Sequence, residues 1–404
     1  MMNYLISAYS VNPYKGSEDS IGWNWVLQYE KNYKKGDRII LLTKKFNEKD
    51  TRRGLKEYNI QHVELVIVDV PDALNWFREK HSAFHHMYYI LWQHWAWLWV
   101  KHSGIHFDVI HHVTMNDYRI PSELYKAKGA KVIWGPMGGA QVTPKPLKVY
   151  EKNQLVANFR EFVNKSCSWN PFYKKALRSY YKIYCINNET QKQISRIVGK
   201  DVPLMPELAL RDEYKNLPIQ KRKNDILKIV FVGRLIGKKG IAFLVDALSL
   251  MPTDMEWELL IFGDGDDRAL IEKQIADSGI EKNIKLMGNR PLNQIAEAYQ
   301  QADIFVLPSL RETSGNVLLE AMAYAVPIVA FDTSFCRLLK KVDCGIFVNT
   351  EQALDNIEAD YCKAIVTLGK DKELAKQMGL NGYKYVNKYL TWEAKYEVLL
   401  KEFL

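Results

Sequence analysis

The chain has 404 residues, of which 47% are apolar and 25% charged, and its formal net charge is +9. This composition is that of a globular protein and excludes disordered and fibrous classes, while the length favours two domains. Five cysteines without a C-x-x-C pair indicate neither a disulfide framework nor a zinc site, which fits a reducing, cytoplasmic compartment. We expect no signal peptide and no membrane span, because the longest aromatic and apolar run, Met87–Val100, has 14 residues where a span needs about 20.

Charge is unevenly distributed along the chain. Residues 1–207 carry 30 Lys and Arg against 19 Asp and Glu, a net charge of +11, whereas residues 208–404 carry 26 against 28, a net charge of −2. All nine histidines and nine of the 11 tryptophans also precede residue 208. The first half is therefore the better candidate for contact with an anionic partner such as a membrane surface.

Taken in chain order, short apolar segments alternate with amphipathic ones in both halves, which is typical of a parallel sheet covered by helices. The first half has the predicted strands Tyr4–Tyr9, Arg38–Thr43, Val63–Val68, Val109–His112, Lys131–Trp134 and Ile183–Ile186. The second half has the predicted strands Lys228–Val232, Glu258–Phe262, Ile284–Leu286, Ile304–Leu307 and Ile328–Ala330. Residues 211–226 are polar, interrupt the pattern and are predicted to form the linker.

The chain is therefore predicted to have an α/β fold with two Rossmann-like, doubly wound parallel-sheet domains that face a cleft. The predicted domains are residues 1–207 and 208–385, followed by a C-terminal helix, residues 386–404, that crosses back to the first domain. Because open parallel sheets bind ligands beyond the carboxyl ends of their strands, we expect the functional residues in the loops that follow the strands.

The strongest functional pattern follows the predicted strand Ile304–Leu307. A polar loop that contains Glu312 leads into a helix, and Glu320 lies about one and a half turns inside that helix. Backbone N–H groups at the helix start have no intrahelical acceptor and, with the helix dipole, form a site for a diphosphate. The residues that supply these groups are Gly315, Asn316 and Val317. For an isolated pair of carboxylates, a loop acid and a solvated helix acid would be the favoured interpretation.

A second pattern favours a functional interpretation of these two carboxylates. The predicted strand Lys228–Val232 runs into a glycine turn, residues 233–240, whose Arg234 can fork onto phosphate oxygens and whose Lys239 acts as a point charge. Such cations can stabilise a departing diphosphate without a metal ion. Alone, this turn would be interpreted as a basic surface loop. A further glycine turn, Gly263–Gly265, follows the next strand and is by itself only weak evidence of a functional site.

Together these patterns resemble the retaining glycosyltransferases of the GT-B fold, within the large sucrose-synthase and mannosyltransferase-like group designated family 4. The family pattern G-R-L-x-x-x-K-G is similar to residues 233–240, and its G-D-G is similar to residues 263–265. The pattern P-S-x-x-E-x-x-G-x-x-x-x-E-A-M-A-x-G-x-P is similar to residues 308–327. The resemblance covers nearly the whole chain, and an ordered set of this length is highly specific.

The resemblance implies roles for individual residues. Arg234 and Lys239 would contact the donor diphosphate. Glu312 would hold hydroxyls of the transferred sugar, and Glu320 would bind the ribose hydroxyls. The other residues assigned to donor binding are Gly16, Gly263, Arg290, Gly315, Asn316 and Val317. No residue is assigned to a metal ion.

Two positions depart from the family pattern. Thr313-Ser314 stands where many members have a residue followed by Phe, and Ala325 replaces the usual glycine before Val326-Pro327. Neither change touches a charged role, so we expect them to tune the fit of the sugar and the packing of the helix.

The first half carries weaker marks of the same family. Gly16 and its neighbours resemble the family's glycine loop after the first strand, although an ordinary turn before a helix fits them about equally well. Residues 107–112 resemble its D-V-I-H strand end, but the loop 134–139 lacks the T-x-H that many relatives carry. His112, or its neighbour His111, is the candidate substitute for that histidine, and His112 is assigned to the catalytic set. A lone histidine after a strand is more often a structural hydrogen-bonding residue.

The run from Phe84 to Trp99 is apolar around most of its helical circumference. A helix packed against the first sheet is the favoured interpretation. The alternative is an interfacial helix whose tryptophans, from Trp92 to Trp99, lie at a membrane surface beside the basic first domain.

The resemblance implies a retaining glycosyltransferase of the hexosyltransferase type that needs no metal ion and no cofactor. Its second domain would bind a nucleoside diphosphate sugar, with a UDP-sugar favoured, and its first domain a carbohydrate or lipid-linked acceptor of bacterial cell-surface polysaccharide synthesis, such as capsule or lipopolysaccharide. We expect a cytoplasmic location at the inner face of the membrane, with a peripheral contact through the basic domain and no nucleic-acid partner. The alternatives are a sugar-nucleotide epimerase of the same fold and a catalytically silent sugar-nucleotide-binding protein. A dinucleotide dehydrogenase is disfavoured because no G-x-G-x-x-G follows the first strand.

Overall fold

The computed structural model describes residues 1–71, 85–151, 154–219, 225–313 and 315–403. The chain divides into two compact units. Unit 1 comprises Met1–Ala140, Val163–Glu207 and Trp392–Leu404, and unit 2 comprises Gln141–Phe162 and Leu208–Thr391. Residues 141–162 therefore group with the second half of the chain, although the sequence analysis assigned them to the first. The predicted linker, residues 211–226, is part of unit 2, and its residues 220–224 lie outside the described residues.

Unit 1 is built on a parallel six-stranded sheet. Its strands are β1 (Asn3–Ser7), β2 (Arg38–Thr43), β3 (Val63–Ile67), β4 (Val109–His112), β5 (Lys131–Met137) and β6 (Lys182–Cys185). They lie in the order β3-β2-β1-β4-β5-β6, so that Leu5 of β1 pairs with Ile40 of β2 on one side and with Ile110 of β4 on the other. This is the strand order of a doubly wound sheet whose switch point lies between β1 and β4.

Unit 2 repeats this architecture. Its strands are β7 (Leu227–Val232), β8 (Trp257–Phe262), β9 (Ile284–Gly288), β10 (Ile304–Leu307), β11 (Ile328–Phe331) and β12 (Gly345–Val348). They lie in the order β12-β11-β10-β7-β8-β9 and are parallel, so the switch point lies between β7 and β10, where Val230 pairs with Phe305. The predicted α/β class with two Rossmann-like, doubly wound sheets is therefore confirmed.

Helices connect the strands in both units. The helices up to residue 207 are α1 (Ser17–Lys31), α2 (Glu48–Glu57), α3 (His85–His102), α4 (Gln154–Ser166), α5 (Pro171–Ser179) and α6 (Asn188–Val198). Those that follow are α7 (Ile241–Leu248), α8 (Arg268–Asp277), α9 (Leu292–Gln301), α10 (Asn316–Ala323), α11 (Ser334–Leu339), α12 (Leu354–Lys370), α13 (Lys372–Tyr389) and α14 (Trp392–Phe403).

Helix α3 packs against the sheet of unit 1. Its Tyr89, Trp92 and Ala96 are buried in the core, and the Trp92 indole donates to the Val68 carbonyl at 2.8 Å. The packed-helix interpretation of the aromatic run is therefore confirmed, while Phe84, where the run was predicted to begin, lies outside the described residues. Within the parts of the chain that the structure describes, no helix is long and apolar enough to cross a bilayer.

The last helix, α14, packs within unit 1 against α1 and β1. The Trp392 ring lies 5.5 Å from that of Trp25, and the Tyr396 ring lies 5.3 Å from that of Tyr29, both between centroids and edge to face. Lys395, also in α14, is buried, and its ammonium donates to the Glu207 carbonyl at 2.6 Å. Aromatic packing thus ties the end of the chain to the unit that contains its beginning.

Strand β5 extends furthest beyond its predicted end and β12 was not predicted, while the other strands lie within two residues of their predicted bounds. Strand β5 continues to Met137 through Gly135-Pro136, a dipeptide that normally ends a strand and therefore placed the predicted end at Trp134. Strand β12 carries no prediction because it is a four-residue edge strand that begins with a glycine. A Cβ at Gly345 would lie 2.0 Å from the Ile328 carbonyl oxygen, so the glycine allows β12 to approach β11.

Candidate active site

The two central strands of unit 2 end side by side. Strand β7 leads into the glycine turn 233–240, and β10 leads into the loop that begins at Pro308. Gly240 has a φ of +70°, and a Cβ at this residue would lie 2.0 Å from the Pro308 carbonyl oxygen. The Leu310 N–H donates to the Lys238 carbonyl at 2.9 Å. The two loops are thus in backbone contact at the switch point, where doubly wound sheets bind ligands.

Within these loops, Lys239 and Glu312 form an ion pair. Lys239 Nζ lies 2.5 Å from Glu312 Oε2, and the Ser309 hydroxyl donates to the same oxygen at 3.0 Å. Both charged side chains are largely buried, with exposed fractions of 15% and 11%. Glu312 Oε1 makes no hydrogen bond with the described residues, so this oxygen can accept a ligand hydroxyl. The structure therefore brings together a predicted phosphate contact and a predicted sugar contact.

Arg234 precedes this pair in the glycine turn. Its guanidinium is exposed and forms no hydrogen bond or ion pair with any residue that the structure describes. Lys238 is also exposed. With Lys239, the turn carries three cations against the single carboxylate of Glu312, which gives this edge of the sheet an excess of positive charge suited to a diphosphate.

The start of α10 supplies the predicted anion-binding N–H groups. Gly315 precedes the helix with a φ of +61°, a left-handed conformation that favours glycine. Asn316 is exposed and Val317 is half-buried, so the first turn is open to solvent on one side. Ser314, one of the two residues that depart from the family pattern in this loop, lies outside the described residues.

Glu320 lies one turn into α10, and two donors hold its carboxylate. Arg211 Nη2 lies 3.3 Å from Oε1, and the Tyr299 hydroxyl donates to Oε2 at 3.3 Å. Burial raises the pKa of Glu320, although the positive charge of Arg211 opposes that shift. The Tyr299 ring in turn stacks on Tyr324, with 5.7 Å between centroids. These contacts account for the position of the carboxylate, and its binding of ribose stays a prediction.

The other predicted donor residues of unit 2 follow neighbouring strands. Gly263 follows β8 with a φ of +127°, and a Cβ there would lie 2.0 Å from the Gly233 carbonyl oxygen, so the glycine lets the two strand ends approach. Arg290 follows β9, the outermost strand on that side, and its Nε donates to the Met287 carbonyl at 2.8 Å. Gly263 therefore adjoins the cationic turn, whereas Arg290 follows a strand two positions away from β7.

Asp264 and Asp266 have the D-x-D spacing that metal-binding carboxylates often show. In the structure, Asp264 Oδ1 accepts from the Gly265 N–H at 2.8 Å, and Oδ2 accepts from the Arg268 guanidinium at 3.4 Å. Among the described residues, no group of three or more His, Cys, Asp or Glu side chains is arranged to hold a metal ion.

Residues that carry no sequence signal hold the loop around Glu312. Arg311 Nε lies 3.1 Å from Glu151 Oε1 in a largely buried ion pair, and the Gln141 amide donates to Thr313 Oγ1 at 2.7 Å. Segment 141–151 of the same unit therefore holds the loop on both sides of Glu312. Sequence reasoning missed these partners because 172 residues separate Gln141 from Thr313, and no motif links them.

Gly16, the donor-binding candidate of unit 1, precedes α1. Its φ of −84° is accessible to every residue type, and a Cβ there would meet no atom within 4 Å. The fold of unit 1 therefore does not require glycine at this position, and a role in contacting the donor stays a prediction.

The catalytic assignment of His112 is corrected to a structural one. The side chain is fully buried, with Nδ1 3.0 Å from Ser7 Oγ and Nε2 2.8 Å from the Tyr89 hydroxyl. Burial lowers the pKa of His112 to about 3, so the ring is neutral at physiological pH. His111 is buried as well, with Nε2 3.2 Å from the Gly135 carbonyl oxygen. Both His112 nitrogens bond within unit 1, which leaves neither to act on a substrate.

Glu18 is an unassigned carboxyl in the first turn of α1. It accepts a hydrogen bond from the Met115 N–H, and burial, reinforced by the negative charge of Glu207, raises its pKa from 4.5 to about 7. The folded protein therefore binds a proton that the unfolded chain releases at lower pH. The stability from this group is fully present below pH 4.5 and is lost as the pH rises through 7.

We expect Glu18→Gln to remove this pH dependence, because the amide oxygen keeps an acceptor for Met115 without a charge. The difference in free energy of unfolding between variant and parent should change by about 3 kcal/mol between pH 4.5 and 8, in favour of the variant at high pH. Chemical denaturation of both proteins across this range measures it. A difference that does not vary with pH would contradict the raised pKa.

Comparisons with known proteins find similarity to glycosyltransferases. Residues 227–371 match the family model described as "Glycosyl transferases group 1". The amylovoran biosynthesis glycosyltransferase AmsK of Erwinia amylovora is 33% identical over 134 residues, which cover 31% of this chain and 33% of that protein. An uncharacterized glycosyltransferase of Methanocaldococcus jannaschii is 26% identical over 285 residues, covering 69% of this chain and 76% of that protein. This chain thus aligns with about a third of the first relative's length.

The fold is similar to solved structures along its whole length. The crystal structure of Anabaena HepE in complex with UDP superposes with a TM-score of 0.61, and the alignment covers 99% of each chain at 14% identity. An identity this low indicates a shared fold but does not indicate a shared ligand.

Proposed function

We propose that this chain, whose residues 227–371 match the family model of the group 1 glycosyltransferases, transfers a sugar from a nucleoside diphosphate sugar to a carbohydrate or lipid-linked acceptor. The proposal includes retention of anomeric configuration and transfer of a hexose. The observation that carries it is the Lys239–Glu312 pair beside the cationic turn, at the switch point of the second sheet. A cation for phosphate and a carboxylate for hydroxyls lie side by side there, with 2.5 Å between Nζ and Oε2, so one ligand that joins a sugar to a diphosphate could contact both side chains.

In the proposed reaction, the bond between the sugar C1 and the diphosphate oxygen breaks, and a bond from C1 to the acceptor oxygen forms on the same face. Arg234 and Lys239 stabilise the negative charge that develops on the departing diphosphate. The acceptor hydroxyl gives its proton to an oxygen of that diphosphate, so no side chain is needed as the base. Glu312 Oε1 accepts hydrogen bonds from sugar hydroxyls and fixes the orientation of C1.

We propose UDP as the nucleotide of the donor. Glu320 would accept hydrogen bonds from the ribose hydroxyls, with Arg211 and Tyr299 holding the carboxylate in place. The N–H groups of Gly315, Asn316 and Val317 would bind the diphosphate, and Gly16, Gly263 and Arg290 complete the proposed set. The choice of UDP over GDP and ADP is tested by a thermal-shift panel of the three donors.

For the acceptor, we propose an intermediate of bacterial cell-surface polysaccharide synthesis, carried at the cytoplasmic face of the membrane. The similarity to an amylovoran biosynthesis glycosyltransferase supports a polysaccharide product. The net charge of +11 in the first 207 residues supports an anionic membrane as the place of the acceptor. The proposal assigns no role to nucleic acid.

Removal of divalent metal ions is expected to leave turnover largely unchanged. Arg234 and Lys239 supply the positive charge that a metal ion would otherwise provide to the leaving diphosphate. Turnover measured in a chelator, and again after Mg²⁺ and Mn²⁺ are restored, checks this. Complete loss of activity that either metal reverses would overturn the metal independence.

A thermal-shift panel of UDP-, GDP- and ADP-sugars tests the donor site. A ligand at 100 times its dissociation constant adds roughly 2.7 kcal/mol of stability, so the true donor should raise the unfolding temperature more than the other two nucleotide sugars do. The same samples are then analysed for sugar transfer and for isomerised donor. Stabilisation followed by an isomerised sugar, without transfer to any acceptor, would favour an epimerase, and no stabilisation by any of the three would reject the proposed donor site.

A further inference from the structure

Two ion pairs of unit 2 share the loop that follows β10. Glu312 of this loop pairs with Lys239. The preceding residue, Arg311, pairs with Glu151, with 3.1 Å between Arg311 Nε and Glu151 Oε1 and exposed side-chain fractions of only 17% and 5%. A largely buried cation is therefore the chain neighbour of the carboxylate that is proposed to bind the sugar, and a second carboxylate holds that cation.

Glu151 lies in a segment that is anchored independently of this loop. Leu147 is fully buried in the core of unit 2. The Tyr150 hydroxyl lies 2.7 Å from Asp246 Oδ2 of α7 and 2.7 Å from Glu358 Oε1 of α12. The described part of the loop after β10, in contrast, contains neither helix nor strand. The position of Glu151 is thus set by the core and by two helices, and the loop adapts to it.

The same charges allow a second pairing that would close the site. Arg311 Nε forms no hydrogen bond with the described residues, so charge attraction holds it beside Glu151. A buried cation that loses its partner is costly, and a guanidinium pairs readily with both oxygens of a carboxylate. The carboxylate next to it in the chain is Glu312, whose Oε1 makes no hydrogen bond within the described residues. Pairing between Arg311 and Glu312 would occupy that oxygen.

We propose that Glu151 is a positioning residue that keeps Arg311 away from Glu312 and so leaves Glu312 Oε1 open to hydroxyls of the donor sugar. Glu151 acts through Arg311 and touches no substrate. The inference rests on the proposed function for the identity of the ligand, whereas the competition of two carboxylates for one guanidinium does not depend on it. Because Arg234 and Lys239 lie in another loop, loss of Glu151 is expected to weaken binding of the sugar and not of the diphosphate.

The test measures the binding of two ligands to the parent and to Glu151→Gln by calorimetry. One ligand is the nucleotide sugar that stabilises the parent most in the thermal-shift panel, and the other is the same nucleoside diphosphate without its sugar. The dissociation constant of the nucleotide divided by that of the nucleotide sugar measures the contribution of the sugar. Glu151→Gln is expected to lower this ratio about tenfold, the effect of losing hydrogen bonds to a charged group. A general structural defect would weaken both ligands and leave the ratio unchanged.

Two further variants separate the competition from other effects. Adding Arg311→Met to Glu151→Gln removes the competing cation and is expected to restore the parental ratio to within about threefold, because apolar replacement of a buried ion pair is tolerated. The matched control is Glu161→Gln, which breaks the 2.7 Å ion pair between Glu161 and Lys148 outside the loop and should keep the parental ratio.

If Glu151→Gln does not fold, Glu151→Asp is measured in its place. It keeps the charge but shortens the side chain, so it loosens the pair with Arg311 and is expected to lower the ratio at least about threefold. A parental ratio in the variant that is measured would overturn the proposal. So would a lowered ratio that the added Arg311→Met does not restore.

A crystal structure of the same variant without ligand gives a readout that needs no donor. The Arg311 guanidinium is expected within hydrogen-bond distance of Glu312. A guanidinium that stays beside position 151, or that leaves Glu312 Oε1 uncovered, would overturn the inference. A parent that binds none of the nucleotide sugars would reject the proposed function alone, because the variant structure still shows which carboxylate Arg311 contacts.

Discussion

Replacing Lys239 by alanine is expected to lower turnover by about two orders of magnitude or more. Lys239 Nζ lies 2.5 Å from Glu312 Oε2 in a largely buried pair, so its charge acts on the departing diphosphate with little screening by water. Arg234→Ala removes the second cation of the same turn and is expected to act in the same direction. Turnover at saturating donor and acceptor is the measurement.

The matched control is Lys282→Ala, which removes the same charge from an exposed residue of unit 2 outside the two loops and should retain parental turnover. Because loss of Lys239 leaves the Glu312 carboxylate without its cation, unfolding is measured as well. The double variant Lys239→Ala with Glu312→Gln removes that lone charge. The double variant reports on stability alone, because Glu312 has its own proposed role in turnover. Low turnover of Lys239→Ala at a temperature where unfolding measurements show that it is folded would separate the catalytic role from a folding defect. Parental rates in both the Lys239 and the Arg234 variants would show that the phosphate site is assigned wrongly.

Gly240→Ala is expected to lower the free energy of unfolding by about 3 kcal/mol or more and to remove most of the activity. The backbone at Gly240 is left-handed, with a φ of +70°, and the added Cβ would lie 2.0 Å from the Pro308 carbonyl oxygen. Relieving that overlap requires the two loops at the switch point to separate, which would also part Lys239 from Glu312. Chemical denaturation and turnover of the variant measure the two effects.

Gly279→Ala is the control for backbone conformation. Its φ of +74° is nearly that of Gly240, but a Cβ there would meet no atom within 4 Å. The variant should lose only about 1–2 kcal/mol, the cost of the left-handed conformation itself, and should keep parental turnover. If the Gly240 and Gly279 variants were equally stable and equally active, close contact between the two loops would not be what holds the site together.

The sequence by itself determined the local elements and the chemistry of the main loops. The predicted strands were found in both sheets, because runs of apolar and β-branched residues between turn signals form strands in almost any tertiary setting. Arg234, Lys239, Glu312 and Gly315 could be selected as site candidates for a similar reason. A glycine turn with cations, or a carboxylate before a helix start, has its chemistry within a few residues of chain.

Only the tertiary structure decided which distant residues meet and which side chains stay exposed. Lys239 and Glu312 are 73 residues apart, and they pair because β10 crosses back to lie beside β7. His112 has the pattern of a functional strand end, yet the Tyr89 hydroxyl of α3 and the Ser7 hydroxyl of β1 occupy its ring nitrogens. Helix α4 shows the same limit, because its apolar residues Leu155, Phe159 and Phe162 are exposed. Its spacing predicts burial as well as exposure, because periodicity shows that a helix has an apolar face but not whether another element covers it.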